Sequence, residues 1–258
     1  VTQGKMTYEH RDETLPGVAR LLVRLMAHHP EEKGIVHCHS YAIQERLADH
    51  LDDFGVSARV RSHDRETRDA ALEEWKATTD SDVFLSVKME EALDLRGDLA
   101  RWQVCCKAPY LNTNDSRVAR RLAEGQWAWY YRVALRTVIQ AAGRVVRAPD
   151  DHGATYLADS SLLDLFDRAR SDMPDWFAEA VDGMSRPDLP EFDPAAALAG
   201  TDASPGVRTG GRSGSSGGGR SRSRSSSRSP SSSQRADESD AADESDADDH
   251  PLSDVWGE

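Results

Sequence analysis

Arg136-Thr-Val-Ile-Gln140-Ala-Ala-Gly143-Arg144-Val-Val-Arg147 sets an amide, a glycine and two guanidiniums at i, i+3, i+4 and i+7. On a helix those four positions share one face. The helix expected here runs from Trp127 to Arg147 and stops at Ala148-Pro149, because proline cannot continue it. Val138, Ile139, Ala142, Val145 and Val146 supply apolar surface elsewhere. Two arginines fixed on one side of a packed helix suit an anion met at a set distance, such as the terminal phosphate of a nucleotide. Gly143 lets a ligand or another backbone come close. The same spacing also fits a solvated arginine face on an ordinary amphipathic helix.

The elements that must position this stretch are short and alternate in type. Val18, Leu21, Leu22, Leu25 and Met26 follow helical spacing after Leu15-Pro16-Gly17. Gly34 to Cys38 reads as a buried strand, and Ser40 stands where it can cap a helix running to Phe54-Gly55. Val56 to Arg61 alternates like a strand, and Glu66 to Lys76 is helical with Ala70, Ala71, Leu72 and Trp75 inward. Asp82 to Ser86, Trp102 to Lys107 and Ala154 to Ala158 are further strands. Asn112 to Ser116 is turn-like, a helical pair follows it, and Ser161–Arg170 and Asp175–Val181 are short helices. Strands alternating with helices, most of them continuously apolar, predict an α/β fold: a mainly parallel sheet with helices on both faces. Ligands of such sheets sit beyond the carboxyl ends of the strands, so Ser40, Ser86 and Pro109 are expected at one rim.

The chain has 258 residues and a formal net charge of −13, with 29 Asp, 16 Glu and only five lysines among 32 basic residues. An Asp-rich, Lys-poor surface fits a protein kept hydrated in a concentrated-salt cytoplasm. Cys38, Cys105 and Cys106 have neither zinc-site nor disulfide-framework spacing and are expected to be buried free thiols. No stretch approaches the length of a membrane span and no signal peptide opens the chain. A cytoplasmic location with no membrane partner is expected. The start at Val1 rather than Met suggests a piece cut from something longer.

From about Pro187 the apolar periodicity dissolves. Arg208 to Arg235 carries seven arginines and no acid, interleaved with Ser and Gly, and Asp237 to Glu258 carries ten acids and no Lys or Arg. Such a tail has too little apolar surface to fold. The expected division is an ordered domain over 1–186 and a disordered tail over 187–258.

The ordered part, roughly Gly4 to Val181, resembles the C-terminal RecA-like motor domain of XPD/DinG-type superfamily 2 DNA helicases, as a salt-adapted, archaeal-like member. His37-Cys38-His39-Ser40-Tyr41 is similar to motif IV, and Leu85-Ser86 through Lys88, Glu91 and Asp94 to motif V. Lys107-Ala108-Pro109-Tyr110, with Asp115 beyond, is similar to the Pro-aromatic loop that follows. Gln140-xx-Gly143-Arg144-xx-Arg147 matches motif VI, and Asp150/Asp151-His-Gly153 with Asp159 echoes the strand after it. Ala92 stands where the family usually has glycine, and Ser160-Ser161 where an arginine is common.

The resemblance implies ATP bound between two RecA-like domains, with this one acting from across the cleft. Arg144 and Arg147 would be catalytic, stabilising charge on the transferring phosphate. Gln140, Gly143, Glu91 and Asp94 would face the nucleotide or couple it to DNA, while Ser40, Tyr41, Ser86 and Lys88 would grip a DNA strand. Trp127, Trp129, Tyr130 and Tyr131 read as core and interdomain packing rather than base-stacking platforms. The sequence contains no G-x-x-x-x-G-K-[ST] loop and no Asp-Glu-Ala-His-like box. ATP and Mg²⁺ would therefore be held mostly by an N-terminal helicase domain, which would also carry any iron–sulfur cluster; no metal site is expected in this chain. The implied function is half of an ATP-dependent DNA helicase acting in repair, inactive alone, with single-stranded or duplex DNA and the N-terminal domain as partners. The alternatives are a stand-alone, non-enzymatic RecA-like nucleic-acid-binding domain and half of an RNA helicase.

Overall fold

The computed structural model describes residues 1–87, 95, 97–145 and 152–199. Among them, strands β1 (Gly34–His37), β2 (Val60–Arg61), β3 (Val83–Ser86), β4 (Trp102–Cys105) and β5 (Ala154–Leu157) form one sheet in the order β2-β3-β1-β4-β5. Every pairing is parallel. This is the α/β architecture that the strand–helix alternation predicts. Gly34 opens β1 because a Cβ there would lie 2.3 Å from Trp102 Cε2 on the neighbouring strand.

Helices cover both faces, and the side-chain parity of the strands sorts what they bury. Helices α1 (Arg11–His28) and α2 (Tyr41–Asp53) lie on Val36, Val83, Leu85, Trp102, Val104 and Tyr156. The helical spacing of Val18, Leu21, Leu22, Leu25 and Met26 puts all five into that core. On the opposite face, α3 (Arg68–Ala77) seats Leu72 and Trp75 on Ile35 and Phe84. Beside it, α5 (Trp127–Ala142), α6 (Ser161–Arg168) and α7 (Asp175–Asp182) enclose Cys105 and Leu157. The short α4 (Ser116–Ala123), capped by the Asp115 carboxylate, leans on α5. All three cysteines are buried and free. Burial pushes the Cys105 thiol up to about 12, while the Cys38 contact and burial hold Cys106 well above the ordinary thiol range.

Four expectations need correction. The first helix begins at Arg11 rather than near Leu15, and the polar lead-in buries Met6 and pairs Gly4 with Asp159 beyond β5. Val56 to Arg61 is not a strand throughout: Ser57–Arg59 is a 3₁₀ turn, which turns the Arg59 side chain fully inward. On α3 only Leu72 and Trp75 are buried, whereas Ala70 is exposed. The boundary at 186/187 also falls too early. Leu189 is buried, and α8 (Pro194–Ala197), capped by Asp193, packs on α1.

Two arginines hold that last segment. Arg24 donates to the Leu189 and Pro190 carbonyls at 3.0 and 2.6 Å. The buried Arg59 guanidinium donates to the carbonyls of Ser81, Met26, Ala197 and His29. Burial lowers Arg59 to about 10, so it remains charged at neutral pH, and its charge is met by carbonyl dipoles. Sequence composition gave no sign of this docking because 187–199 is short and Pro-rich. Residues 200–258, including both charged blocks of the expected tail, lie outside the described residues.

Candidate functional site

The carboxyl ends of four strands stand level. His37 of β1 is in register with Ser86 of β3 and Cys105 of β4, and Cys105 with Leu157 of β5. Backbone bonds continue the row one residue further, from Cys38 N to Ser86 O at 2.7 Å and from Cys106 N to His37 O at 3.1 Å. Ser86 therefore ends β3, and Ser40 and Pro109 follow β1 and β4, along one rim, as expected. Between β1 and α2, His39 takes a positive φ of 70°. A left-handed non-glycine residue costs about 1–3 kcal/mol, and this one turns the chain so that Ser40 Oγ accepts from Ile43 N at 3.3 Å.

Asp159, just after β5, ties the rim together. Its Oδ1 accepts from Met6 N at 3.2 Å and Ser161 N at 2.8 Å, and its Oδ2 from Ala108 N at 2.8 Å. Burial raises its pKa while those three bonds oppose the shift. The N-terminal segment, the Pro109 loop and the start of α6 thus share one carboxylate. Tyr110 of that loop stacks on the buried Tyr130 at 5.4 Å, and Tyr130 Oη donates to Leu111 O at 3.1 Å. Tyr130 is thus a packing residue, as the sequence implies.

The motif at the end of α5 differs from the expectation most. The helix stops at Ala142 instead of continuing to Arg147. Gly143 is a poor helix former, and Arg144 N already makes a tightened bond to Ala141 O at 3.0 Å. The chain must then deliver Val145 into the cluster of Ile35, Leu72, Trp75 and Phe84. Gln140, Gly143 and Arg144 consequently do not share one helical face. Gln140 and Gly143 are exposed, whereas Arg144 is only 7% exposed.

A buried polar chain pins this helix end to the sheet. Gln103 on β4 donates from Nε2 to Ala141 O at 2.9 Å and to Thr155 Oγ1 at 2.8 Å. Its Oε1 lies 3.0 Å from His37 Nε2, which fixes the proton on that nitrogen. Burial lowers His37 to about 4, against the Gln103 bond, and the nearby positive charge of Arg144 adds to the lowering. His37 is neutral at physiological pH, and its Nδ1 is buried with no hydrogen-bond partner. Gln103 was not singled out as a site residue from sequence. The available signal was an amide in the middle of an otherwise apolar strand.

A family model described as helicase C-terminal domain matches residues 22–180. The chain belongs to the helicase C-terminal domain family. The regulator of telomere elongation helicase 1 of Homo sapiens is 33% identical over 112 residues, covering 36% of this chain and 9% of that protein. The general transcription and DNA repair factor IIH helicase subunit XPD/RAD3 of Saccharomyces cerevisiae is 29% identical over 174 residues, covering 58% of this chain and 21% of that protein. This helicase C-terminal domain thus spans no more than 21% of the length of these two relatives. Among solved structures, S. tokodaii Xpd4 is 20% identical with a TM-score of 0.49, covering 68% of this chain and 38% of that one.

Within the helicase C-terminal domain, the remaining site residues stand as follows. Ser40 and Tyr41 are half-buried at the rim, and Tyr41 meets His63 edge-on at 5.7 Å beneath the Arg65 guanidinium. Ser86 is 1% exposed, so its hydroxyl is turned into the protein rather than presented to solvent. Lys88, Glu91, Asp94 and Arg147 lie outside the described residues. Among the described residues, no three His, Cys, Asp or Glu side chains gather as a metal site would. No described helix is long and apolar enough to cross a membrane.

Proposed function

We propose that this chain is the C-terminal half of an ATP-dependent DNA helicase that couples ATP hydrolysis to translocation on DNA and to its unwinding, in a repair setting. The observation that carries this reading is the family match over residues 22–180, and the placement of Ser40, Ser86 and the Pro109 loop at the carboxyl ends of neighbouring strands supports it. The names of the relatives, a telomere elongation helicase and an XPD-type DNA repair helicase subunit, favour DNA over RNA as the track.

In this reading Arg144 and Arg147 meet the transferring phosphate from across an interdomain cleft. An arginine supplied in this way is worth about 10³–10⁵ in rate, because its charge matters most as charge develops in the transition state. The low exposure of Arg144 and the Gln103 bond to Ala141 O support this reading, because the backbone that carries Arg144 is anchored to the sheet. Gln140 and Gly143 stand exposed beside it for nucleotide contact, and Glu91 and Asp94 link nucleotide state to the DNA path. Ser40 and Tyr41 supply phosphate and stacking contacts; Ser86 supports the rim from behind, and Lys88, two residues further in sequence, adds a phosphate contact. The ATP phosphates and Mg²⁺ would be held by a half that carries a phosphate loop, a motif this sequence does not contain.

The test uses the complete enzyme. The purified 258-residue chain should not hydrolyse ATP, and the complete protein should do so with stimulation by DNA. Arg147→Ala in the complete protein should cut turnover by about 10³ or more and leave oligonucleotide affinity unchanged. Near-wild-type turnover, or a loss confined to DNA affinity, would rule out the catalytic role of this motif.

A further inference from the structure

In a chain with a formal charge of −13, the segment Ser116 to Ala142 contains five arginines and a single acid, Glu124. All five arginines are exposed. On α4, Arg117, Arg120 and Arg121 stand at i, i+3 and i+4 and are exposed, while Val118 is buried. On α5, Trp129, Arg132, Arg136 and Gln140 fall within one turn-to-turn stripe, while Ala134, Val138 and Ala141 face the core. The two helices are joined at this surface, because the Arg121 guanidinium lies 4.3 Å over the Trp129 ring. The α5 stripe extends about 16 Å at 1.5 Å per residue, and it starts one residue before Tyr130, which packs on the Pro109 loop at the rim.

The countercharges are few. Glu124 pairs with Arg120 at 3.1 Å, and Asp172 pairs with Arg132 at 3.0 Å. The Asp115 carboxylate is occupied in capping α4. Arg117, Arg121 and Arg136 have no carboxylate partner among the described residues. An acid-rich surface that excludes acids from one helical hairpin, and supplies guanidiniums there with a tryptophan between them, is complementary to a polyanion that also has flat rings.

We propose that the α4–α5 hairpin is a second single-stranded nucleic-acid contact, leading the strand from the rim along the Trp129–Gln140 stripe. It rests on the helicase reading only for the direction of the strand; binding itself needs nothing beyond this chain. Arg117, Arg121 and Arg136 hold phosphates and Trp129 offers a face to a base. Because these are charge contacts, their share of binding should be read in the salt dependence. Three neutralised phosphates contribute about two units of slope in log K against log [salt] for a single strand.

The experiment titrates a fluorescein-labelled oligo-dT with the 258-residue chain at several salt concentrations. Arg117→Glu/Arg121→Glu/Arg136→Glu should weaken binding at least tenfold and flatten the slope by about two units. Arg117→Gln/Arg121→Gln/Arg136→Gln, which is milder toward folding, should give the same flattening with a smaller loss. Ser40→Ala serves as the comparison and should reduce affinity without that change in slope. If both triple variants keep the wild-type affinity and slope while Ser40→Ala weakens binding, the hairpin proposal fails and the helicase reading stands. If the wild-type chain binds polyaspartate but no oligo-dT, the hairpin faces an acidic protein surface and the proposal is overturned.

Discussion

Replacing Gln103 by leucine, a residue of similar size, tests the anchor beneath the motif VI helix end. The side chain makes four contacts: to His37 Nε2, Ala141 O, Thr155 Oγ1 and, more distantly at 3.4 Å, Ala142 O. They are unequal in consequence. Thr155 is exposed and can turn to water, and Ala141 O still accepts from Arg144 N. His37 is fully buried, so its N–H is left without an acceptor, a penalty of about 1–3 kcal/mol. Adding about 1 kcal/mol for the loosened helix end gives roughly 2–4 kcal/mol for Gln103→Leu. Guanidinium denaturation of the 258-residue chain measures this directly, and a thermal midpoint should fall by about 2–4 °C per kcal/mol for a domain of this size. His37→Leu alone should also destabilise, because Gln103 Oε1 is then orphaned. The double variant His37→Leu/Gln103→Leu should cost at least about 1 kcal/mol less than the sum of the singles, since removing both partners leaves nothing unsatisfied between them. Strict additivity would refute the coupling, and an unchanged midpoint in Gln103→Leu would refute the anchor itself.

Acid should weaken the fold through His37. Its folded value is about 4 against an ordinary 6.5, so between those values the unfolded chain binds the proton and the native chain does not. Stability is therefore lost as pH falls from about 6.5 to 4, by about 3 kcal/mol for this group, and the gap between wild type and His37→Leu should narrow from pH 7.5 to 4.5; parallel curves would contradict the assignment. A chain ending at Arg186 should be less stable than one ending at Ala199 by about 3–5 kcal/mol, from the burial of Leu189 and the Arg59 bond to Ala197 O. Equal denaturation midpoints for the two lengths would show that the docked segment contributes nothing. Arg59→Met should weaken the longer chain more than the shorter one, because only the longer chain supplies the Ala197 carbonyl; equal losses in both would separate Arg59 from the docking.

Local pattern carried much of this protein. Mostly apolar four-residue strands between helices, buried along their whole length, specify a parallel sheet, since only burial on both faces accommodates them. Helical spacing identified the α1 core residues, and Ser40 announced its capping role through its position just before Tyr41. The motifs at the strand ends are local strings, so their order and their common rim could be read before any coordinates. Tertiary structure decided what depends on distant partners. Periodicity alone continues α5 to Arg147, but Val145 has to reach a pocket made by α3, β1 and β3, and that requirement ends the helix at Ala142. Arg59 alternates as a strand residue would, yet carbonyls from α1, the β3 approach and α8 draw it inward. The same clamp makes 187–199 part of the domain although its composition resembles a tail. Gln103 anchors the helix end through partners 38 and 66 residues away in sequence, a relation no local spacing encodes.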